Sequence, residues 1–448
     1  MYDETSARRL TDQVLQHSRA DQTEVVVQSQ ASQLTRFANN TIHQNVAEES
    51  TEVTVRVVLG RRIGVASGNQ LDDSSLRELV ERATTVASAL PENPNFDSLP
   101  EAQVWERADA YREATADCTP RVRADGAATI VNAAAGAGLQ AFGAFSTERT
   151  ALAVANSLGT FAYHPSTVAD LHTVVMADDA SGFGGAASID VDDLDVDDVA
   201  RQAVGRTLRG QQPRSVEPGD YEVILEPPAV AEMLDYMAYA GLGGLSVLEE
   251  RSFLNQLQGQ QALDPKVSLW DDGHDRHGIP VPFDFEGVPK RRVVFVDRGT
   301  LREAVYDSYT GHRSGVLSTG HALPAPNTWG PFPTHLLMGN GDHTREQMIG
   351  SVKRGLLVTR FWYVNLVHPL TVTLTGTTRD GTFLIEDGEV VGAVQNLRFT
   401  QSVLDALKDV PMVGNERQLI RGWEGSAVVP TLRLARFSFT GVATEGGS

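Results

Sequence analysis

Cysteine, lysine and long apolar runs are what this chain of 448 residues has least of. A single cysteine, Cys118, excludes an internal disulfide framework and fits a reducing compartment. Of 38 basic residues only four are lysine, at Lys266, Lys290, Lys353 and Lys408, and against 58 acidic residues they leave a formal net charge of -20. A surface of that sign repels phosphate backbones and anionic headgroups, which argues against nonspecific nucleic-acid binding and electrostatic membrane anchoring. No stretch approaches the roughly 18 uninterrupted apolar residues of a membrane span. The opening MYDETSARRLTDQVL has no basic segment leading into an apolar run, so no secretory signal is expected and the expected location is cytoplasmic.

What is present reads as an α+β protein of two domains. A helix through Leu10, Val14 and Leu15 precedes short strands: Glu24 to Gln28, two extended pieces around Asn39-Asn40, and the alternation of Val53, Val55 and Val57 with Thr54 and Arg56. Ser75 and Glu78 have capping-box spacing ahead of the apolar face Leu76, Leu79, Val80 and Ala83, and Pro91, Pro94 and Pro100 follow. Small residues from Ala124 to Leu139 predict a tightly packed helix, and Phe142 to Ala155 and Leu171 to Met176 predict strands. Gly182 to Gly185 lack the Lys-Ser/Thr of a phosphate loop and read as a flexible turn. The acidic residues from Asp195 to Asp198 suit a helix start, with Arg206 and Arg209 at the far end. The polar, proline-bearing stretch 210–220 reads as a linker between an N-terminal domain, 1–209, and a strand-rich C-terminal domain, 221–448. In the latter, strands are expected at Tyr221 to Leu225, Arg292 to Val296, Leu301 to Tyr306, Thr371 to Thr375 and Thr382 to Glu386. A helix capped by Thr344 and Gln347 is expected to run up to Gly355.

Several constellations bear on chemistry. Asp271, Asp272, His274, Asp275 and His277 place two imidazoles and three carboxylates in seven residues, an arrangement that suits a divalent ion. It lies in a glycine-flanked polar loop whose ligands cost entropy to order. The stretches Gly311-His312-Arg313-Ser314-Gly315 and Ser318-Thr319-Gly320-His321 invite a hydrolase reading, but neither has the G-x-S-x-G spacing that presents a nucleophile. His335, His343 and His368 read as ordinary surface or hydrogen-bonded histidines.

The stretch from Pro227 to Pro289 organises the chain. Val230, Met233, Leu234 and Met237 recur at helical spacing, Gly241, Gly243 and Gly244 break the pattern, and L-E-E-R-S-F-L from Leu248 is followed by D-F-E-G-V-P from Asp284. In this order the pieces resemble the TldD/PmbA family. R-F-A-N-N-T-I-H-Q-N from Arg36, N-S-L-G from Asn156, G-L-L-V-T-R-F-W-Y-V from Gly355 and G-T-F-L-I-E-D-G-E from Gly381 extend the resemblance over nearly the whole chain.

The resemblance implies a peptidase family whose metal-binding members carry H-E-x-x-x-H on the helix ahead of R-S-F. Here the equivalent residues are Asp235, Tyr236, Met237, Ala238, Tyr239 and Ala240, and no histidine occurs between His172 and His274. The family's further cysteine ligand near the C-terminus is missing too. The resemblance therefore implies the PmbA/TldE type, with no catalytic residue and no cofactor in this chain, zinc in a homologous TldD-like partner, and a peptide substrate that adds as a strand to a sheet edge. It also places Arg251, Ser252, Phe253, Ser318, Thr319 and Gly320 near the cavity. Two other readings stay open: a stand-alone peptidase using Asp271, Asp272, His274 and His277 or an unrecognised serine, and a homodimeric peptide-binding module.

Overall fold

The computed structural model describes residues 2–422 and 424–443. Its first half runs α1 (Glu4–His17), β1 (Gln22–Ala38), β2 (Thr41–Leu59), β3 (Arg62–Gly68), α2 (Asp73–Ala89), α3 (Glu113–Ala116), α4 (Pro120–Gly136), β4 (Gln140–Asn156), β5 (Phe161–Met176), β6 (Ser181–Ser188) and α5 (Val196–Gly210). The second half runs β7 (Gly219–Leu225), α6 (Pro227–Gly241), α7 (Gly244–Leu248), α8 (Leu254–Leu257), β8 (Leu269–Asp271), β9 (Val293–Asp297), β10 (Thr300–Leu301), α9 (Ser308–Ser314), β11 (His335–Met338) and α10 (Arg345–Gly350). It ends with β12 (Arg354–His368), β13 (Thr373–Glu386), β14 (Glu389–Ala393), β15 (Leu397–Ser402), α11 (Val403–Ala406), β16 (Met412–Arg421) and β17 (Ser426–Val442).

The first half is one antiparallel sheet in the order β3-β2-β1-β4-β5-β6. Asn39 and Asn40, at φ of 50° and 58°, supply the two left-handed residues of the β1–β2 turn. Alternation decides the faces. Val25, Val27, Val53, Val55 and Val57 pack under α1 and α2, and further along the same sheet Phe37, Phe145 and Leu171 pack under α4 and α5. Each fully buried valine contributes about 1.5–3 kcal/mol, so the odd-numbered side chains of β2 hold the helix layer in place. On the other face Val26, Val154 and Ala162 receive Phe283 from the second half.

Two expectations are corrected here. The cap of α2 is Asp72, whose carboxylate accepts the Ser75 N–H at 3.1 Å, and Ser75 sits one turn inside the helix. A carboxylate gains more than a hydroxyl from the positive helix start, so the earlier residue wins. Gly182 to Gly185 form no turn but lie within β6. A Cβ at Gly182 would meet the Ala203 carbonyl oxygen at 2.3 Å, and one at Gly184 the Val199 carbonyl oxygen at 2.4 Å. Glycine here lets the backbone of α5 lie directly on the strand.

The second half is an eleven-stranded sheet in which β17 pairs with both β15 and β7, so that β17, β15, β13, β12 and β7 close into a ring. Helix α6 packs against β12 and β17 of this ring and is mostly apolar, with Val230, Met233, Leu234 and Met237 fully buried and Glu232, Asp235 and Tyr239 left on one face. Pro227 and Pro228 occupy its first turn, where their missing N–H groups cost nothing. Of Thr371 to Thr375 only Thr373 to Thr375 are in a strand, because Pro369–Thr371 form a 3-10 turn capped by Val372 at φ 46°; they share β13 with Thr382 to Glu386, and that strand kinks at Gly381 (φ 130°). Of Leu301 to Tyr306 only Leu301 is in a strand. The capping box of α10 forms as expected between Thr344 and Gln347, but the helix ends at Gly350 because β12 already begins at Arg354. Among the described residues no helix is long and apolar enough to cross a membrane.

Candidate functional site

Helix α6 has to turn sharply into the segment that carries Arg251, and Gly241 makes this turn. A Cβ there would meet the Phe253 ring at 2.7 Å. Phe253 and Ser252 are buried, and Ser252 Oγ donates to the Gly241 carbonyl at 2.6 Å while accepting the Leu254 N–H at 3.0 Å. Of the R-S-F triplet, Ser252 and Phe253 thus lock the chain reversal, and only Arg251 reaches the surface. Arg251 pairs with Glu249 at 2.6 Å, brought round by Glu250 at φ 57°.

Arg251 lines a small cleft of about 90 Å³ together with Tyr239, Ser246, Trp329 and Phe332. Tyr239 and Trp329 meet edge to face at 6.0 Å and remain 43% and 52% exposed. Exposed aromatics around a concave surface suit recognition of an apolar or aromatic side chain, with a cation at the rim for a carboxylate. Sequence reasoning did not single out Tyr239 or Trp329 as binding residues. The signal available was Trp329 in the proline-rich run from Pro324 to Pro333. A wider open hollow of about 610 Å³ lies by Trp270, Arg292, Asp297 and Glu303, and includes none of the residues picked from the sequence.

The positions equivalent to the family's zinc motif do not fit a zinc ion. Met237, Ala238 and Ala240 are buried in the core, and the polar neighbours Asp235, Tyr236 and Tyr239 bring no imidazole. Tyr236 donates its hydroxyl to the Val364 carbonyl. Burial raises Glu232, on the same helix, to about 6.

The aspartate and histidine cluster divides. Asp272 accepts the His274 N–H at 3.1 Å and Asp275 accepts the His277 N–H at 2.9 Å, so each closes a local turn. Asp271, at the end of β8, points inward instead. Its Oδ2 accepts the His335 backbone N–H at 2.7 Å and its Oδ1 lies 3.0 Å from His321 Nε2. His321 Nδ1 lies 2.8 Å from Thr319 Oγ1, which also accepts the Tyr306 N–H at 2.8 Å. Among the described residues no three His, Cys, Asp or Glu side chains gather as metal ligands.

His335 is not an ordinary surface or hydrogen-bonded histidine: it is fully buried, both ring nitrogens lack a hydrogen-bond partner among the described residues, and burial holds it down at about 4. Burial pushes Asp271 up, yet Lys290 and His321 outweigh it and keep the carboxyl below its ordinary range. Thr319, His321 and Asp271 have the composition of a nucleophile relay but are all sealed from solvent, so they hold the loop at Tyr306 rather than meet a substrate. Ser318 Oγ donates to the Tyr306 carbonyl at 3.1 Å. Gly320, at φ 74°, lies against Pro289, where a Cβ would be 2.3 Å from the carbonyl oxygen.

A third polar centre joins the two halves. Arg56 of β2 contacts Glu24 of β1 at 2.6 Å and Glu286 of the D-F-E-G-V-P segment at 3.1 Å. Glu286 also accepts the Ser308 N–H at 3.0 Å, and Asp284 Oδ2 accepts the Ala322 N–H at 2.8 Å. Burial raises Glu24 to about 7, and burial with the Glu286 charge raises Asp284 well above the ordinary range. Phe283, beside them, packs against Trp105 at 5.0 Å, and Arg206 of α5 reaches Glu226 at 2.8 Å. The D-F-E-G-V-P segment is therefore a clasp between the sheets.

Family models match the whole frame: PmbA/TldA metallopeptidase domain 1 over residues 23–87, the central domain over 94–211 and the C-terminal domain over 218–441. The chain is 26% identical over 227 residues to Metalloprotease PmbA of Escherichia coli O157:H7, a match covering 50% of this chain and 47% of that one. It is 23% identical over 211 residues to the Metalloprotease TldD homolog of Buchnera aphidicola subsp. Acyrthosiphon pisum, covering 46% of this chain and 42% of the relative. These matches span about half the length of the curated relatives. The crystal structure of TldE from Thermococcus kodakarensis superposes with a TM-score of 0.88 at 21% identity, covering 97% of this chain and 99% of that one, so the fold is shared from end to end. With both sheets built as in that fold and the last family model alone spanning half of its residues, the chain belongs to the PmbA/TldD metallopeptidase family.

Proposed function

We propose that this chain is the non-metal-binding subunit of a TldD/TldE-like metallopeptidase complex acting on unfolded or small peptides. The observation that carries the reading is α6: where a zinc-bearing relative needs imidazoles, this helix places Met237, Ala238 and Ala240 in the core of the second half. A ligand set cannot be recovered by a rotamer change, because the side chains that would have to turn are packing groups. Zinc, and the water it activates, belong in this reading to a homologous partner chain. Relatives named metalloprotease PmbA and TldD support the reaction class.

This chain's own contribution is to bind and orient peptide. The Tyr239 and Trp329 ledge offers a seat for an apolar side chain, and Arg251 at its rim offers a charge partner for a carboxylate. The test is zinc content and peptide cleavage of the purified chain, alone and after co-expression with an H-E-x-x-x-H homologue from its host. Metal and cleavage are expected only in the co-purified complex. Stoichiometric zinc and cleavage by the isolated chain, lost on His274→Ala or His277→Ala, would instead establish a stand-alone peptidase.

A further inference from the structure

On the helix-facing side of the first sheet a polar strip separates two apolar layers. β1 and β4 pair without a register shift, so alternate residues keep to one face. Val25 and Val27 lie in the layer under α1 and α2, and Phe37 lies in the layer under α4 and α5. Between them come Ser29, Ala31 and Gln33, with Arg149 opposite Ala31 and Thr147 opposite Gln33. Arg123, near the start of α4, reaches this strip and is fully buried. Its hydrogen bonds all leave from Nη1, to Gln33 Oε1 at 2.8 Å, the Cys118 carbonyl at 2.9 Å and Thr147 Oγ1 at 3.4 Å. Its Nε and Nη2 are sealed from solvent without a partner, and so is Nε of Arg149. A carboxylate on the same face, Glu49, stands two strands from Arg149 beyond Ala31, about 10 Å away by strand spacing. A guanidinium taken out of water without a counter-charge is costly to bury, and neutral acceptors on one of its nitrogens do not offset that.

We propose that this strip binds a small inorganic oxyanion, phosphate or sulfate, on Arg123 and Arg149. Nε and Nη2 form one edge of the planar guanidinium, the edge that takes two oxygens of a phosphate or carboxylate side by side. In Arg123 it is this edge that has no acceptor. With Arg149 Nε there are three unanswered N–H groups on two cations, which calls for a dianion with at least three acceptor oxygens. A carboxylate brings two oxygens and one charge. A phosphomonoester would have to carry its alcohol group in beside an arginine that is 0% exposed, so the free ion is the better fit. Bound there, the ion ties α4 to β1 and β4 where neither apolar layer reaches. The site needs neither zinc nor peptide, so it stands or falls independently of the silent-subunit reading.

The test uses the full chain, dialysed into buffer free of phosphate and sulfate. One portion is denatured and the phosphate and sulfate it releases are counted. Another is titrated with sodium phosphate by calorimetry and by thermal unfolding, with ionic strength held constant by sodium chloride. One ion per chain is expected, either carried through dialysis or taken up saturably. Uptake should raise Tm, because the ion binds only the folded state, and sulfate should reproduce the rise while acetate and phenyl phosphate should not. Arg123→Lys keeps the charge but loses the fork, and it is expected to weaken phosphate binding at least tenfold. Arg149→Gln is expected to do the same, and because Arg149 is partly exposed this variant serves if Arg123→Lys fails to fold. A parent chain that releases no ion and shows no saturable uptake would leave water on these donors and overturn the proposal. So would an effect that chloride or acetate reproduces, or phosphate binding that Arg149→Gln leaves unchanged.

Discussion

The two halves of the molecule protect a sheet in different ways. In the first, helices cover one face of an open meander, and each helix depends chiefly on the strands beneath it. In the second, the sheet closes on itself and a mostly buried helix, α6, is packed against the ring. The difference shows in what glycine does. In β6 of the open sheet it lets a helix lie on a strand, and at Gly241 it lets the enclosed helix end against an aromatic ring. An open sheet tolerates local detachment because its layers are separable. A closed ring does not, because every strand has two partners to lose.

The largest expected effects test that contrast in the second half. Asp271→Ala strips the buried carboxylate from His321 and Lys290, and a loss of about 3–5 kcal/mol is expected in denaturant unfolding. If the change costs under 1 kcal/mol, the polar centre at Tyr306 is not structural. Met237→Ala empties the packing between α6 and the ring and should cost about 2–5 kcal/mol, with hydrogen exchange rising throughout the second half rather than at one element.

In the first half the corresponding change should stay local. Gly182→Val forces α5 off β6, at a cost of about 1–3 kcal/mol. Exchange should accelerate in α5 and β6 while the valine layer under α1 and α2 keeps its protection. Uniform loss across both sheets would erase the distinction drawn between them.

The seam gives a pH signature. Glu24 titrates near 7 in the folded chain against an ordinary 4.5, so the folded state binds more protons between these values and stability falls as pH rises through that window. Its contribution is fully present below about pH 4.5. Glu24→Gln should flatten the slope between pH 4.5 and 7, read from urea midpoints at each pH, while leaving the slope outside the window unchanged. The smallest stability effect belongs to the cleft: Trp329→Ala should change unfolding by about 0.5 kcal/mol or less yet weaken peptide binding by the co-expressed complex several-fold. Unchanged binding would remove the aromatic ledge from the proposed role.

Periodicity made much of this frame legible in advance. Alternating Val53, Val55 and Val57, the helical spacing of Val230, Met233, Leu234 and Met237, the Asn39-Asn40 turn and the Thr344 to Gln347 capping box each encode a local geometry, and each is found in the fold. The misreadings have a common cause. Gly182 to Gly185 look like a turn until α5 lies on them, and His335 looks like a surface residue until β8 and β11 bury it beside Asp271. Ser252 and Phe253, picked for nearness to a cavity, serve the reversal after α6, and only Arg251 of the three lines the cleft.

By itself the sequence determined composition, the strand and helix periods, the absence of imidazole on α6 and, through its ordered motifs, the family. These are properties of single segments, fixed by side-chain chemistry and by spacing along one chain. Only the tertiary structure decided that Asp271 belongs with His321 and His335 rather than with His274 and His277, that Arg56 reaches Glu286 across the seam, and that Tyr239 and Trp329 share a cleft. Each of these joins residues far apart in the chain, and no local pattern specifies a contact whose energy depends on burial that the rest of the fold must first create.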